Sequence, residues 1–362
     1  MEEKRIVRLF LQNGFQLSKS ALSIIPPNPE AILSELKKIK PRPFIVTDKY
    51  IKKILKSSVF RSVEVKTIKK FSFNKKTLHV NDCVKQLLSR YEKIKSILIK
   101  QMKPKKLVSI NKITSRTMKF SIIGLVKEKN DNSVLVEDST GETNLYFDKN
   151  TKGELDNILP DDVLGVQCEK IKEKYYVKKL IYPDVLSSKN ITRTKEEILI
   201  AFVVSTQNLT DAQTKKLINC LLETKNLSSV FVFGPFNSSC LTTSSELNLI
   251  HVPSNPVPIL FGLDMIKILI IPSSFLNNYL KSFSTPKVFT LMLKKRELII
   301  DSSQTFNIYR DFVLDEVPDI IASDFGQPLY LNYKGTTIIS NSDPQKVFTV
   351  NLKTRDVQQI LL

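Results

Sequence analysis

The sequence is poorest in the residues that build catalytic and nucleotide-binding sites. Its 362 residues include two histidines (His79 and His251), nine glycines and four cysteines. No two glycines lie closer than nine positions, whereas a GxGxxG turn or a Walker loop needs clustered glycines so that backbone amides can close on phosphates. A P-loop nucleotidase and a Rossmann dehydrogenase are thereby excluded. Cys83, Cys168, Cys220 and Cys240 form no CxxC pair, which suits a reduced chain with small buried cysteines and makes a zinc site a poor fit. No apolar run approaches the ~18 residues of a membrane span. The start MEEKRIVRLFLQNG is charged and then amphipathic, unlike a secretory signal. The expected location is cytoplasmic, with no membrane partner.

What is abundant is positive charge. Lys and Arg number 55 against 36 Asp and Glu, a net of +19 with a pI near 9.6. Such an excess favours a polyanionic partner, or else serves solubility on a lysine-rich surface; it reads as spread along the chain. Hydrophobic content of 42% and charged content of 25% are ordinary for a folded protein.

Residues 1–62 read as a small helical module. Ile6, Leu9 and Phe10 share a helix face stopped by Gly14, and Ser18 caps a helix bearing Ala21, Leu22 and Ile25. Asn28-Pro29 opens a helix with Ile32, Leu33 and Leu36; Phe44 to Val46 is extended; Thr47 or Asp48 caps a helix with Ile51, Ile54 and Leu55. Such helices dock a partner or pack on their own chain. Residues 63–106 read as a linker, irregular to 81, then a helix from Asp82 with the stripe Val84, Leu87, Leu88, Tyr91, Ile94 and Leu98. Its exit carries Lys93, Lys95, Lys100, Lys103, Lys105 and Lys106, a solvated face or a track for a phosphate backbone.

Over 107–190 the period changes to short runs rich in Val, Ile, Tyr and Phe, from LVSINKITS to KYYVKKLIY, with a tight turn at 139–142 and a helical insert near Glu154 to Ile158. That fits a small closed Greek-key barrel of the OB type. Lys119, Lys127, Lys129, Lys172, Lys174, Tyr175 and Tyr176 are candidates for a single strand, or face solvent or a neighbouring domain. From 191 to 362 the pattern is layered α/β: ILIAFVVS, a helix with Leu217, Cys220 and Leu221 inward, SVFVFG, ELNLIHV, DMIKILIIP, helices near 274–283 and 286–295, DIIAS, TTIIS and a closing KVFTVNL. Polar loops at 205–208, 234–238 and 253–257 stand where such a sheet places chemistry. The stretch VLDEVPDIIASDFGQ looks like an active-site rim, yet it holds no histidine.

These loops, in this order behind a barrel, resemble the small subunit of archaeal family-D DNA polymerase, a relative of the B-subunits of eukaryotic replicative polymerases. The likeness spans nearly the whole chain: LQNGFQLSKSALSII, VNDCVKQLLSRYEKIKSILI, IIGLVKEK with VEDSTGETNLYF, and most closely LMLKKREL and VLDEVPDII. The resemblance implies a last domain of calcineurin-like phosphoesterase type, in which aspartates, histidines and an asparagine bridge two metal ions. At the matching positions this chain has Thr206 and Asn208, then Pro235 in GPFNS, Asn255 in SNPV, Ile271 in ILIIPSSF, and Phe325 and Gln327 in DFGQ. Pro, Phe and Ile cannot hold a hard cation, and His251 reads as a packed or surface imidazole. The loop at 342–346 is shorter than the family leads one to expect.

The resemblance therefore implies an inactivated exonuclease domain, no catalytic residue, no metal and no cofactor. The chain would be a non-catalytic accessory subunit, associated with the nucleoid, stabilising the large catalytic subunit in a heterodimer and meeting DNA through the complex. Lys103, Lys105 and Lys106 join the barrel residues as nucleic-acid candidates. The competing expectations are a metal-dependent 3′–5′ exonuclease, as in intact members, and a free-standing single-strand binder. The tail VQQILL lacks the paired aromatics of a sliding-clamp peptide.

Overall fold

The structure, a computed structural model, describes residues 2–362 apart from 26–28, 30–31, 34–35, 38, 40, 52–63, 72–79, 103–106, 208, 236–246, 253–256, 278–282 and 299–311. The chain is mixed α/β and divides into two compact units, Met1–Ser62 and Val63–Leu362. In the first, α1 (Glu2–Gln12) buries Ile6 and Phe10, and the chain turns at Gly14, whose φ of +79° an L side chain rarely adopts. Ser18 caps α2 (Lys19–Leu22), its hydroxyl accepting from the Ala21 amide at 3.1 Å. β1 (Gln16–Leu17) pairs in parallel with β2 (Ile45–Val46), and Ile32, Leu33, Leu36 and Ile51 complete the core. Asn28, Ile54 and Leu55 lie outside the described residues.

The second unit opens with β3 (Val65–Lys70) and α3 (Val80–Met102), followed by a barrel of five strands: β4 (Lys119–Lys129), β5 (Ser133–Asp138), β6 (Gly141–Tyr146), β7 (Val163–Ile171) and β8 (Lys174–Ile181). The barrel closes in the order β4-β5-β6-β8-β7, with β6 parallel to β8 and β7 returning to β4. Alternation supplies its interior: Phe120, Ile122, Val134, Val136, Leu145, Val166 and Val177 point inward. The insert helix α4 is one turn, Lys152–Leu155, and plugs the barrel with Leu155 and Ile158. LVSINKITS is not a strand. It makes one bridge at Leu107 and a 3₁₀ turn at Ile110–Lys112, because the Ile110 amide bonds the Asp138 carboxylate (2.9 Å) instead of a ladder.

The rest forms two sheets face to face. One is β11-β10-β9-β17-β18, from β9 (Leu199–Val204), β10 (Leu227–Phe233), β11 (Leu249–Val252), β17 (Lys346–Asn351) and β18 (Val357–Leu361). The other is β15-β16-β14-β13-β12-β3, from β12 (Ile259–Leu263), β13 (Ile266–Ile271), β14 (Ile320–Ser323), β15 (Leu329–Tyr333) and β16 (Thr336–Ser340). Phe202, Phe231, Phe261, Ile268, Ile270, Ile339 and Phe348 fill the space between them. Residues of opposite parity in the second sheet, among them Leu269, Ile271, Ile321 and Ile338, meet Phe275 and Leu276 of α6 (Ser273–Leu276) and Val288, Phe289 and Met292 of α7 (Thr285–Lys295) on its other side. The β9–β10 crossover carries α5 (Asp211–Glu223), held by a Thr210–Gln213 capping box. Its inward residues are Leu217, Ile218 and Leu221; Cys220, expected inward, is half-buried.

Several expectations are corrected here. Residues 65–70 are not a linker: β3 adds to the edge of the six-stranded sheet, antiparallel to β12. PILFGL, which the sequence pattern leaves unassigned, is β12, joined to β13 through Asp264 and Met265 with Asp264 at φ +52°. KVFTVNL does not close the chain, since β18 pairs back on β17. The α3 stripe is buried only at Ile94 and Leu98, with Tyr91 half-buried; Val84, Leu87 and Leu88 are exposed, so the stripe outruns the body it packs on.

Barrel and sheets form one unit because charged side chains are buried between them. Arg90 of α3 donates to the Glu297 carboxylate (2.8 Å) and to the Asp161 carbonyl (2.7 Å). Lys295, at the end of α7, pairs with Asp162 of the barrel at 2.8 Å, both side chains under 5% exposed. Burial pushes the Asp162 carboxyl up to about 6 despite the opposing Lys295 charge. Tyr333 donates to the Asp184 carboxylate (3.0 Å), which also takes Lys334 at 2.6 Å.

Candidate functional site

In both sheets the parallel strands β9, β10 and β11, and β13, β14 and β16, end in loops where an α/β sheet assembles chemistry. In the first sheet, the Ser205 hydroxyl donates to the Pro235 carbonyl (3.0 Å), and the Thr206 amide donates to the same oxygen (3.3 Å). Gly234 turns the chain at φ +76°, where an added Cβ would meet the Ser205 Cβ at 3.2 Å. Thr206 is buried and Pro235 exposed. Asn208 and Asn255 lie outside the described residues.

In the second sheet the ends of β13, β14 and β16 are tied together. The Asp324 carboxylate accepts from the Ser273 amide (2.5 Å) and hydroxyl (2.9 Å), so it closes the first turn of α6. The Asn341 amide donates to the Ser323 carbonyl (3.0 Å), its side chain donates to the Lys346 carbonyl (2.8 Å), and Ser340 donates to the Phe325 carbonyl. Ile271 and Phe325 both point into the apolar layer under α7, Phe325 edge-on to Phe289 at 6.4 Å. Gln327 is exposed.

The donor set does not fit two divalent cations. Of the positions the resemblance implies, two are core hydrocarbons and a third is proline, and the nearby Asp324 carboxylate and Asn341 amide are spent on Ser273 and on the Lys346 carbonyl. Among the described residues no group of three or more His, Cys, Asp or Glu converges. His251 lies on β11 with its side chain exposed, and His79 is outside the described residues. A polar cavity of about 370 Å³ lies at the other end of the first sheet, among Glu197, Lys225, Asn226, Asn351 and Asp356.

The barrel candidates are largely neutralised by their neighbours. Lys119 and Lys178 both pair with Glu169 (3.3 and 3.4 Å), and their hydrogen bonds hold that carboxyl below its usual range. Lys127 pairs with Glu142 (2.9 Å) and Glu137 (3.6 Å). Lys129 donates to the Ile158 carbonyl at 3.1 Å. Tyr175 is turned against the core, edge-on to Phe120 at 5.2 Å. Lys172 and Lys174 remain exposed, Lys174 lying over the Tyr146 ring (4.7 Å), itself 6.0 Å from Tyr176. Lys103, Lys105 and Lys106 lie outside the described residues.

Counting charge by structural segment also corrects the even spread. Residues 1–62 carry 13 Lys and Arg against 5 acids, and 63–106 carry 13 against 3. The barrel segment 107–190 has 13 of each, and 191–362 has 16 against 15. Nearly the whole excess precedes the barrel, a segregation that a simple count along the sequence would have revealed.

No protein-family model and no curated protein matches the chain. Among solved structures, the hypothetical protein ygiW from E. coli is similar to part of it at 19% identity, covering 17% of this chain and 71% of that one with a TM-score of 0.15. A likeness so short and at so low a score says nothing about the function of the whole. No helix among the described residues is long and apolar enough to cross a membrane.

Proposed function

We propose that the chain is a non-catalytic small subunit of a replicative DNA polymerase of the archaeal family-D type, stabilising the large catalytic subunit. The supporting geometry is a closed barrel in OB strand order followed by two face-to-face sheets with helices outside, the layering of a calcineurin-like phosphoesterase. The observation that carries the reading is the fate of the strand ends. The loops keep their hydrogen-bonded frame, while Ile271 and Phe325 sink into the core at positions that would need ligands. A domain that keeps its frame and loses its donors serves as a scaffold. Its buried charge pairs bind barrel and sheets into one body on which a partner can be seated.

Co-expression with a family-D large subunit should give one complex that survives affinity purification at moderate salt. Separate elution of the two chains would overturn the proposal. The exonuclease alternative is tested on the purified chain: with manganese it should leave an end-labelled strand intact, and a metal-dependent shortening that tracks with this polypeptide would favour that alternative.

A further inference from the structure

We propose that the protein grips a nucleic-acid phosphate backbone with one face of α3 and not with its barrel. This goes beyond the polymerase reading and does not rest on it. At 3.6 residues per turn, Lys85, Ser89, Lys93, Ser96 and Lys100 fall within about 80° of one another, roughly opposite the buried Ile94 and Leu98. Lys85, Ser89, Ser96 and Lys100 are exposed, and Lys93 is half-buried. From Lys85 to Lys100 the face runs about 22 Å at ~1.5 Å per residue, enough to follow several phosphates of one strand. Asp82 stands at its start, in the first helical turn where a carboxylate complements the helix dipole. Glu92 is turned to Lys95 at 3.0 Å, and Lys95 also lies over the Tyr91 ring.

The chemistry of the face selects among polyanions. Beyond Asp82 at its start it offers ammonium and hydroxyl groups, the groups that contact phosphates and sugars. The exposed apolar residues of this helix, Val84, Leu87, Leu88 and Ile99, lie outside that arc, with Ile99 and Leu88 about 40° and 60° from its edge. A membrane surface or an apolar groove takes up a helix by its apolar face, and here Ile94 and Leu98, opposite the lysines, are already buried in the protein. The barrel makes the poorer grip, because its segment is charge-neutral and Lys119, Lys127 and Lys178 each face a carboxylate.

The test uses the full chain and a fluorescent single strand of about 30 nucleotides, titrated between about 50 and 200 mM salt. The triple variant Lys85→Gln, Lys93→Gln, Lys100→Gln should lower the log–log salt slope by about 2, since each lost contact removes about 0.7. The barrel triple Lys119→Gln, Lys127→Gln, Lys174→Gln should leave the slope unchanged. Circular-dichroism melts establish that both variants are folded; should the helix triple fail to fold, the single variants Lys85→Gln and Lys100→Gln, each expected to lower the slope by about 0.7, replace it. The proposal is overturned if the barrel triple lowers the slope as much or more, or if the wild-type chain binds no oligonucleotide at the lowest salt. It is equally overturned if the helix triple loses binding to phosphatidylserine vesicles while its binding to the oligonucleotide is unchanged.

Discussion

Phe325 stands at a position where the proposed relationship would put a metal ligand. It is 1% exposed, edge-on to Phe289, and its carbonyl is held by Ser340. Placing a ligand there is an experiment on the core. Phe325→His would exchange a packed ring for an imidazole without a partner, at a cost of about 3 kcal/mol or more. We expect the urea midpoint to fall accordingly and manganese to give no heat on calorimetric titration. A variant as stable as wild type that binds manganese would show that the position can carry a metal ligand. That histidine is scarce was legible in the sequence, which holds two. The depth of Phe325 was not, since DFGQ reads as a polar loop and only the packing of α7 over the strand end makes its second residue a core residue.

Between elements, the Lys295–Asp162 pair at 2.8 Å is the contact most open to measurement. Removing one partner strands the other in a dry site, so Asp162→Leu or Lys295→Met alone should cost about 3–5 kcal/mol, whereas the double variant should be neutral or stabilising by about 1–4 kcal/mol. The pH dependence has a definite sign. The folded carboxyl titrates at about 6, above its ordinary 3.8, so the folded state binds more protons than the unfolded state between those values. Wild type therefore loses stability at this site as pH rises through that window, and the advantage of the double variant over wild type should grow from pH 4 to pH 7. Urea denaturation of both chains across that range measures it; an advantage that shrinks with pH would refute the assignment. No such pairing could be read from the sequence, where LPDD and LMLKKREL lie more than a hundred residues apart. Elements were legible where burial was one-sided and local, as in α1, α5 and the barrel hairpins. They were missed where lysine masked a strand, as in β3, whose VKTIKK suits an exposed sheet edge. They were also missed where a two-residue turn leaves little punctuation between strands, as at Asp264-Met265, so that only the second of the two was read.

At the scale of the molecule, residues 63–106 belong to the sheets and barrel in structure and to the N-terminal third in charge. β3 covers the edge of β12, Ile94 and Leu98 of α3 cover Ile123, Val163 and Val313, and Arg90 neutralises the buried Glu297. A chain beginning at residue 64 keeps all three and should melt as a single body, with a transition close to that of the second unit in the full chain. A chain beginning at residue 107 would open a sheet edge, uncover an apolar patch and leave Glu297 buried without its partner, the last alone costing about 3 kcal/mol or more. The shorter chain should aggregate on size exclusion or melt at least several degrees lower. If it were instead monomeric and melted within a degree or two of the longer chain, β3 and α3 would be mere attachments. The boundary of the folded body would then lie at the barrel, where the strand periodicity of the sequence first suggests it.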